Sequence, residues 1–341
     1  MNFFSYFLKR MVHSIFVLIG LSILIFLIAR VVPGDPARMA LGPRAPQFAV
    51  DALRQEMHLD DQSLFLQYSF WIKGLVSGDL GKSLTTKRPV IQDIKEFLPA
   101  TIELALVAAV FIILFSILFG TLAAKYRDKW IDSAIRIMAY TGVAVPSFVL
   151  AILFLLLFGY IWPVMPVLGR LSYGITAPPV ITGFITVDSI ISGNFTALGD
   201  ACKHLIVPAV ALAIGPLFQE ARIIRSAMTE NMSKDYLLAE TGYGIPNYLI
   251  VGKYLLKPSL IPAVSVMGLD IASLMGNAFL VEVIFNWPGI SRYGMNAMLG
   301  KDLNAISAVV IVFGLIFVLV NIIVDLVVAY LDPRIRAGGK S

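Results

Sequence analysis

Long apolar stretches with few or no charged residues recur along the chain, separated by more polar connections of varied length. A membrane-spanning helix needs about 20 mainly apolar residues. The stretches that meet or approach this length lack the alternation of apolar and polar residues that is typical of barrel strands. They cover residues 11–30, 104–124, 137–163, 205–219, 260–281 and 305–324. The pattern predicts an all-α integral membrane protein with six transmembrane helices.

The overall composition strengthens this prediction. The chain has 341 residues, of which 58% are hydrophobic and only 14% are charged, whereas soluble domains carry about 25% charged residues. The net charge of +5 suggests a nucleic-acid partner in a soluble protein. Here the basic residues adjoin the apolar stretches, so membrane orientation explains them better. We therefore expect membrane lipid as a partner and no nucleic acid.

The basic residues cluster in alternate connections between the predicted spans. They are Lys9, Arg10, Lys125, Arg127, Lys129, Arg136, Arg222, Arg225, Lys234, Arg334, Arg336 and Lys340. Connections rich in lysine and arginine lie on the cytoplasmic side of a membrane, which predicts a multi-pass protein with both termini in the cytoplasm. The first stretch is longer than the apolar part of a secretory signal and no small-residue cleavage site follows it, so we expect an uncleaved span.

The spans divide the chain into four predicted parts. Residues 1–30 are the N-terminal end and first span, 31–100 an extracytoplasmic segment, 101–331 a five-helix core, and 332–341 a cytoplasmic tail. Within the second part, residues 51–71 carry apolar side chains at helical spacing, which predicts a small amphipathic helix. Residues 89–103 are expected to lead as a helix into the second span. Prolines inside the spans predict kinks, namely at Pro146, Pro208 and Pro216.

Sequence patterns for nucleotide or metal chemistry are missing. The chain contains no G-x-x-x-x-G-K-[ST] phosphate loop and no H-E-x-x-H pair. Cys202 is the single cysteine, and the three histidines lie far apart at positions 13, 58 and 204. We therefore expect no metal site and no cofactor in this chain. A nucleotide that drives transport would have to bind another chain.

The connection between the fourth and fifth spans carries the most information. Ser233 is expected to cap a short helix that runs to Tyr243, and Gly244 to supply a turn with positive φ. Pro246 suits the start of a second short helix that runs toward Lys257. The connection, residues 228–258, is thus predicted to form two short helices joined by a Gly-Ile-Pro elbow. Such a rigid projection suits insertion into a groove on a partner.

Asp235-Tyr236 opens the first of these helices, and Leu260-Ile261-Pro262 follows Gly244 after an interval. In this order they resemble the coupling loop, or EAA loop, of ABC importer permeases. The chain departs from that loop at residues 239–243 and at Pro246. The resemblance implies that an ATPase docks on this loop through Asp235, Tyr236, Glu240, Gly244, Pro246 and Pro262.

Five further segments extend the resemblance along nearly the whole chain and in the right order. They are Pro33-Gly34-Asp35-Pro36, residues 98–104 (LPATIEL), residues 145–148 (VPSF), residues 281–290 (VEVIFNWPGI) and residues 331–336 (LDPRIR). The chain is similar to the B-type permease subunits of dipeptide and oligopeptide ABC importers. That group also includes importers for nickel, glutathione and antimicrobial peptides.

The resemblance implies a set of partners and a mechanism. A permease of this type is not itself an enzyme; it pairs in the inner membrane with a second, homologous permease subunit as a heterodimer. Two cytoplasmic ABC ATPase subunits bind ATP and magnesium, and an extracytoplasmic solute-binding protein delivers the peptide. Transport then proceeds by alternating access. The alternatives are an importer of nickel, another metal chelate or glutathione, an ion-coupled secondary transporter, a membrane-embedded enzyme and a scaffold protein.

Polar residues in or beside the fifth span are candidates for the substrate path. Asp270 lies near the middle of that span, where an ionised carboxylate costs roughly 3 kcal/mol. It either lines the path and attracts a cationic group, such as a peptide amino terminus, or bonds to neighbouring helices. Asn277 and Glu282 are placed on the same path. Elsewhere, Glu103 is expected to stabilise the first turn of the second span. Three aromatic residues are expected in an interfacial belt: Phe285, Trp287 and Tyr293.

Overall fold

A computed structural model describes residues 3–31, 36–42, 44–56 and 63–331. The regular structure of these residues is helical, apart from an isolated antiparallel bridge between Lys82 and Pro89. The prediction of an all-α membrane protein is therefore confirmed. Three predicted features fall wholly or partly outside the described residues: the segment 33–36, the middle of the helix 51–71, and the C-terminal residues 332–341.

The described helices are bounded as follows. They are α1 (Phe3–Val31), α2 (Pro36–Leu41), α3 (Gln47–Glu56), α4 (Leu64–Ser77), α5 (Val90–Lys125), α6 (Trp130–Ala144), α7 (Ser147–Leu156), α8 (Ile185–Ile191), α9 (Phe195–Asn231), α10 (Asp235–Gly242), α11 (Asn247–Leu249), α12 (Leu256–Ile284), α13 (Ile290–Leu299) and α14 (Leu303–Leu331). Two π-helical segments continue α7 and join α11 to α12, namely Leu157–Ile161 and Ile250–Leu255.

Five helical segments among the described residues are long and apolar enough to cross a membrane. They lie in α1, α5, α9, the continuous helix Asn247–Ile284, and α14. A sixth candidate span consists of α6 and the helix Ser147–Ile161, which meet at a bend of 105°. The expected kink at Pro146 is confirmed, because this residue stands at the bend and Val145 before it is extended, as is usual before proline. Pro208 and Pro216 instead lie within the continuous α9.

Several spans are longer in the structure than their apolar stretches indicated. The fourth predicted span covered residues 205–219, whereas α9 runs over 37 residues from Phe195 to Asn231. As expected, residues 89–103 lead into the second span, because α5 begins at Val90. Backbone hydrogen bonds hold a helix together whether or not its side chains are apolar. Hydropathy therefore finds the lipid-facing part of a helix, and the helix continues beyond it.

The helices α5 and α9 pack side by side at the centre of the bundle. Their shared core consists largely of alanine and leucine, including Ala108, Leu104 and Leu212, and small residues allow two helices to approach closely. We call the end of the bundle where α5, α9 and α10 meet the basic end, because Lys125, Lys129 and other basic residues lie there. The opposite end, formed by residues 78–89 and 162–194, is the loop end.

Replacing Gly120 with alanine is expected to destabilise this central contact. A Cβ atom on Gly120 would lie 2.7 Å from the Ile224 Cβ and 2.9 Å from the Ala221 carbonyl oxygen. Overpacking of this kind costs about 1–3 kcal/mol, and the apparent melting temperature of the detergent-solubilised protein should fall. Gly20→Ala is the control, since no atom lies within 4 Å of its added Cβ. Equal melting temperatures for the two variants would contradict the close contact.

Candidate functional site

The connection between α9 and α12 forms a helical projection at the basic end, as its sequence indicated. The helix α10 covers Asp235–Gly242, and Gly244 follows with a φ of 73°, a conformation that costs glycine little. Pro246 then precedes α11, which continues through the π-helical segment into α12. The predicted second short helix is therefore the first part of the fifth span. We call residues 235–249 the coupling projection.

The start of α10 differs from the prediction. Ser233 does not cap this helix: its hydroxyl donates to the Glu230 carbonyl oxygen at 2.8 Å, at the end of α9. Lys234 stands at the N-cap position and makes no side-chain capping bond. The acidic Asp235 in the first turn suits the positive end of the helix dipole. This carboxylate, and not the serine hydroxyl, is the favourable polar group at the start of α10.

One face of the coupling projection is anchored and the other is free. Leu237 is buried against a cluster of α9 and α12 side chains that includes Ile224, Met228 and Leu255. The opposite face presents exposed aromatic side chains, with Tyr236, Tyr243 and Tyr248 exposed by 41%, 85% and 74%. Aromatic residues are frequent anchors of protein interfaces. The projection is thus fixed to the bundle by apolar packing and offers a free aromatic surface.

The six residues predicted to dock an ATPase do not all lie on this projection. Asp235, Tyr236, Gly244 and Pro246 are exposed on it, and Glu240 is half-buried. Pro262 is also exposed, but it lies inside α12, beyond the coupling projection. The structure thus brings five of the six together. Pro262 removes one backbone donor from α12, which suits a structural part in the helix.

Asp270 lies between two helices of the bundle. Its carboxylate is half-buried and accepts a hydrogen bond from the Gln219 side-chain amide at 3.3 Å. Glu220, also on α9, lies beside it and is fully buried. Apart from Asp270, no described residue offers a hydrogen bond to the Glu220 carboxyl group. The sequence reasoning missed Glu220, because the apolar stretch of the fourth span stopped one residue before it.

The face of α12 next to Asp270 is exposed and contains small and polar residues. Its members recur at helical spacing: Leu269, Ser273, Gly276, Asn277 and Leu280. Polar side chains are costly in contact with lipid and usually face the interior of a bundle or a water-filled cavity. A second protein chain or an aqueous path therefore suits this face better than lipid. We call these five residues the open face of α12.

Glu282 has a different environment from Asp270 and Asn277. It is fully buried, accepts a hydrogen bond from the Thr101 hydroxyl at 2.5 Å, and accepts another from the Arg292 backbone amide at 2.8 Å. Arg292 lies in the first turn of α13, so the carboxylate stabilises the start of that helix. Along the axis of α12, Glu282 lies about 18 Å from Asp270. This placement favours a structural part for Glu282 over contact with substrate.

The aromatic residues that follow Glu282 do not form an interfacial belt. Phe285 and Trp287 are fully buried and Tyr293 is nearly so. The Trp287 indole donates to the Ala100 carbonyl oxygen at 2.9 Å. The expectation of a belt was wrong, because residues 285–290 fold back onto α5 as a corner between α12 and α13. Their apolar side chains pack in the protein interior.

Glu103 also has a part that its sequence position did not reveal. It was expected in the first turn of a helix, but α5 begins 13 residues earlier at Val90. The Glu103 carboxylate instead binds Arg170 at 2.5 Å and accepts bonds from the Thr186 backbone and hydroxyl. Both partners belong to the connection at the loop end. Glu103 therefore fastens that connection to the membrane bundle.

A second carboxylate organises the same connection from within. Asp188 accepts four hydrogen bonds from three consecutive residues, Ile181, Thr182 and Gly183. Burial favours the neutral acid, but these bonds outweigh it and hold the pKa of Asp188 below its ordinary value. The loop end is thus an ordered surface.

Comparison with known proteins gives full-length matches. Residues 116–337 match the family described as binding-protein-dependent transport system inner membrane component, and residues 3–105 match its N-terminal family. The chain is 38% identical over 339 residues to the probable D,D-dipeptide transport system permease protein DdpB of Escherichia coli, covering 99% of both chains. It is 37% identical to the dipeptide transport system permease protein DppB of Alkalihalophilus pseudofirmus, covering 97% of this chain and 99% of the relative.

A further relative carries a different substrate in its name. The chain is 30% identical over 332 residues to the glutathione transport system permease protein GsiC of Escherichia coli, covering 97% of this chain and 99% of the relative. Each of these matches spans the bundle, the coupling projection and the loop end together. The similarity therefore concerns the whole architecture.

Proposed function

The chain belongs to the family of binding-protein-dependent transport system inner membrane components, and we propose that it forms one half of a membrane path for dipeptides or oligopeptides. The observation that carries this proposal is the full-length relationship to dipeptide transport permeases, together with a projection placed between two spans. The substrate moves through the membrane by alternating access. The loop end faces the extracytoplasmic solute-binding protein, and the basic end faces the cytoplasm.

The cytoplasmic orientation of the basic end follows from its charge. Lys125, Arg127, Lys129 and Lys234 lie there, and lysine and arginine are enriched in cytoplasmic connections. The ends of α1 and α14 meet at the same end through the ion pair between Arg10 and Asp325. With this orientation both chain termini lie in the cytoplasm of a multi-pass inner membrane protein.

The coupling projection is the proposed docking site for a cytoplasmic ATPase subunit. Its aromatic face is free, whereas its apolar face is held by the cluster around Leu237. A force on the projection is therefore transmitted directly to α9 and α12, the helices that carry Glu220 and Asp270. ATP and magnesium bind to two separate ATPase chains, and this chain performs no covalent chemistry.

The open face of α12 is proposed to line one side of the substrate path and to contact a second permease subunit. Ser273, Gly276 and Asn277 lie on it, and such residues suit close helix packing or a wet surface. One chain of this size offers only one wall of a path. A homologous permease subunit supplies the other wall and forms a heterodimer with this chain.

Reconstituted transport tests the proposed function. The chain is purified with a second permease subunit and two ATPase subunits and placed in proteoliposomes with a solute-binding protein. We expect ATP-dependent uptake of labelled dipeptides that ceases when the binding protein is omitted. Uptake driven by a proton gradient without the ATPases would contradict the proposal and support a secondary transporter.

Glutathione is the second candidate substrate, because permeases named for glutathione transport are 30–31% identical over nearly the full length. Competition in the same uptake assay distinguishes the candidates. Excess unlabelled dipeptide should suppress uptake far more than excess glutathione or a nickel chelate. The opposite order would make the chain a glutathione or metal-chelate permease without changing its place in the importer.

Replacing Asp270 with asparagine is expected to lower peptide uptake about tenfold, while the complex still assembles. The asparagine keeps the size of the side chain and its contact with Gln219 but removes the negative charge. A hydrogen bond to a charged group contributes about 1.5–3 kcal/mol, which is the basis of the expected loss. The initial rate of ATP-dependent uptake is the measurement.

Asn277→Ser provides a matched control on the open face of α12, because it shortens a polar side chain and changes no charge. Its uptake rate should stay within about twofold of wild type. Wild-type uptake by Asp270→Asn would contradict a role of Asp270 in attracting the peptide amino terminus. Its half-buried carboxylate would then serve the contact between α9 and α12 only.

A further inference from the structure

A cavity opens between α6 and α9 near the basic end of the bundle. Its volume is about 160 Å³, many times the 10–15 Å³ that a single water needs. Both helices contribute apolar and basic residues to its lining: Ile135, Arg136, Ala139, Tyr140, Ala221, Arg222 and Arg225. Three guanidinium groups therefore share one cavity inside a membrane protein.

Only one of these guanidinium groups is fully paired. Arg225 binds the buried carboxylate of Asp132 through two hydrogen bonds of 2.5 and 2.7 Å. The same carboxylate also accepts the Asp128 backbone amide at 3.0 Å. This arrangement fixes Arg225 against the cavity wall and leaves two further positive charges in the cavity.

Arg136 and Arg222 carry these two charges. Arg136 forms a long ion pair with Asp132, at 3.7 Å from its Nε, and its Nη donates to the Ser133 hydroxyl at 3.3 Å. The Arg136 Nε is buried and makes no hydrogen bond among the described residues. Arg222 is exposed, and no ion pair of its side chain occurs within the described part of the chain. A buried donor without an acceptor is unfavourable. Among the described residues, Asp132 is the one carboxylate that pairs with these three arginines, so the cavity carries an excess of positive charge that suits an anion.

With the midpoint of α9 taken as the membrane centre, the cavity lies near the edge of the hydrocarbon layer. Arg222 is nine residues, or about 13.5 Å, beyond the midpoint of α9, and the hydrocarbon layer extends about 15 Å on each side of the membrane centre. Trp130, at the start of α6, is 78% exposed, as is typical of aromatic residues at the membrane boundary. Ile137 is 65% exposed on α6 beside the cavity and provides a surface for an acyl chain.

We propose that this cavity binds the phosphate of an anionic lipid headgroup. The planar guanidinium groups of Arg136 and Arg222 would contact the phosphate oxygens, a geometry for which arginine is well suited. Basic cavities between membrane helices on the cytoplasmic side are suited to anionic headgroups. Such a lipid would bridge α6 and α9. The inference rests on the membrane placement of the chain and is independent of the transported substrate.

Native mass spectrometry of the purified permease–ATPase complex tests the proposal. Delipidated complex is mixed with phosphatidylglycerol, with phosphatidylethanolamine, or with phosphatidylglycerol plus excess inorganic phosphate. Each arginine near an anionic lipid surface contributes about 1 kcal/mol. The apparent affinity for phosphatidylglycerol should therefore fall about fivefold in Arg222→Gln and about thirtyfold in Arg136→Gln/Arg222→Gln. Phosphatidylethanolamine should bind more weakly than phosphatidylglycerol to the wild type.

Arg127→Gln is the matched control, because it removes an arginine from the same end of the bundle but outside the cavity. It should bind phosphatidylglycerol as the wild type does. Equal binding by the wild type and Arg222→Gln, which alters only an exposed side chain, would overturn the proposal. Full displacement of the lipid by inorganic phosphate would also overturn it, since the site would then select a free anion. Peptide uptake is measured separately, so failure of the proposed function would not be confused with either result.

Discussion

Replacing Gly244 with valine is expected to reduce the stimulation of ATP hydrolysis by peptide-loaded binding protein at least tenfold. Gly244 adopts a φ of 73° at the elbow of the coupling projection. A left-handed conformation costs an L-residue roughly 1–2 kcal/mol, and a β-branched side chain is especially unfavourable there. The elbow would move to a different conformation and displace α10 from its position. The measurement is the ATPase rate of the reconstituted complex with and without loaded binding protein.

Gly244→Asn is the matched control for this prediction. Both variants add a side chain to open space, because no atom lies within 4 Å of a Cβ at this position, but asparagine tolerates the left-handed conformation. We expect Gly244→Asn to retain most of the stimulation. Equal losses in both variants would show that the surface at Gly244, rather than its backbone conformation, makes the contact. Full activity of Gly244→Val would contradict the coupling role of the elbow.

Replacing Gly289 with alanine is expected to destabilise the protein by about 3–5 kcal/mol, the combined cost of overpacking and of lost buried hydrogen bonds and a large part of the total stability of a typical protein. An added Cβ would overlap with the buried carboxylate of Glu282. The carboxylate would have to move, which would break its bonds to Thr101 and to the start of α13. Gly289 itself has an ordinary φ of −102°, so the expected loss is steric. The apparent melting temperature and the monodisperse fraction in detergent measure it.

A double-mutant comparison separates this steric effect from a general loss of stability. Glu282→Ala alone should also be destabilising, because Thr101 and the first turn of α13 lose their acceptor. Adding Gly289→Ala to Glu282→Ala should then cost little, since the overlapping carboxylate is gone. Gly199→Ala in α9, where no atom lies within 4 Å, should leave the melting temperature unchanged or slightly higher. Additive losses for Gly289 and Glu282 would contradict the contact between them.

These two glycines illustrate how differently sequence and structure contribute. The part played by Gly244 was predictable, because a glycine between two short helical patterns indicates a local turn that requires positive φ. In the sequence, Gly289 stood out only as part of the segment 281–290, which resembles the corresponding segment of importer permeases. A glycine is required at position 289 because the Glu282 carboxylate lies where a Cβ atom would be. The two residues come together because the chain turns back between them, through Phe285 and Trp287. The corner between α12 and α13 folds back and brings Gly289 close to Glu282. No local sequence pattern predicts this contact.

The acidic residues in and near the spans show the same division. Sequence alone indicated that each such carboxylate needs a favourable environment, because ionised groups are costly in a membrane. The sequence alone could not show which groups surround each carboxylate. Glu103 proved to fasten the loop end, Glu282 to stabilise α13, and Asp270 to meet Glu220 between α9 and α12. Glu220 itself was overlooked, since an acid at the edge of an apolar stretch looks like the end of a span.

The sequence by itself determined the membrane class, the six spans, the helical projection between the fourth and fifth, and the resemblance to importer permeases. Each of these depends on local composition, on spacing along one segment, or on motifs in a fixed order. Only the tertiary structure decided which polar groups meet, which aromatic residues are buried, and that Arg136 and Arg222 share a cavity beside Asp132. Those relationships join residues up to 315 positions apart, and they arise because packed helices bring distant side chains within a few ångströms of each other.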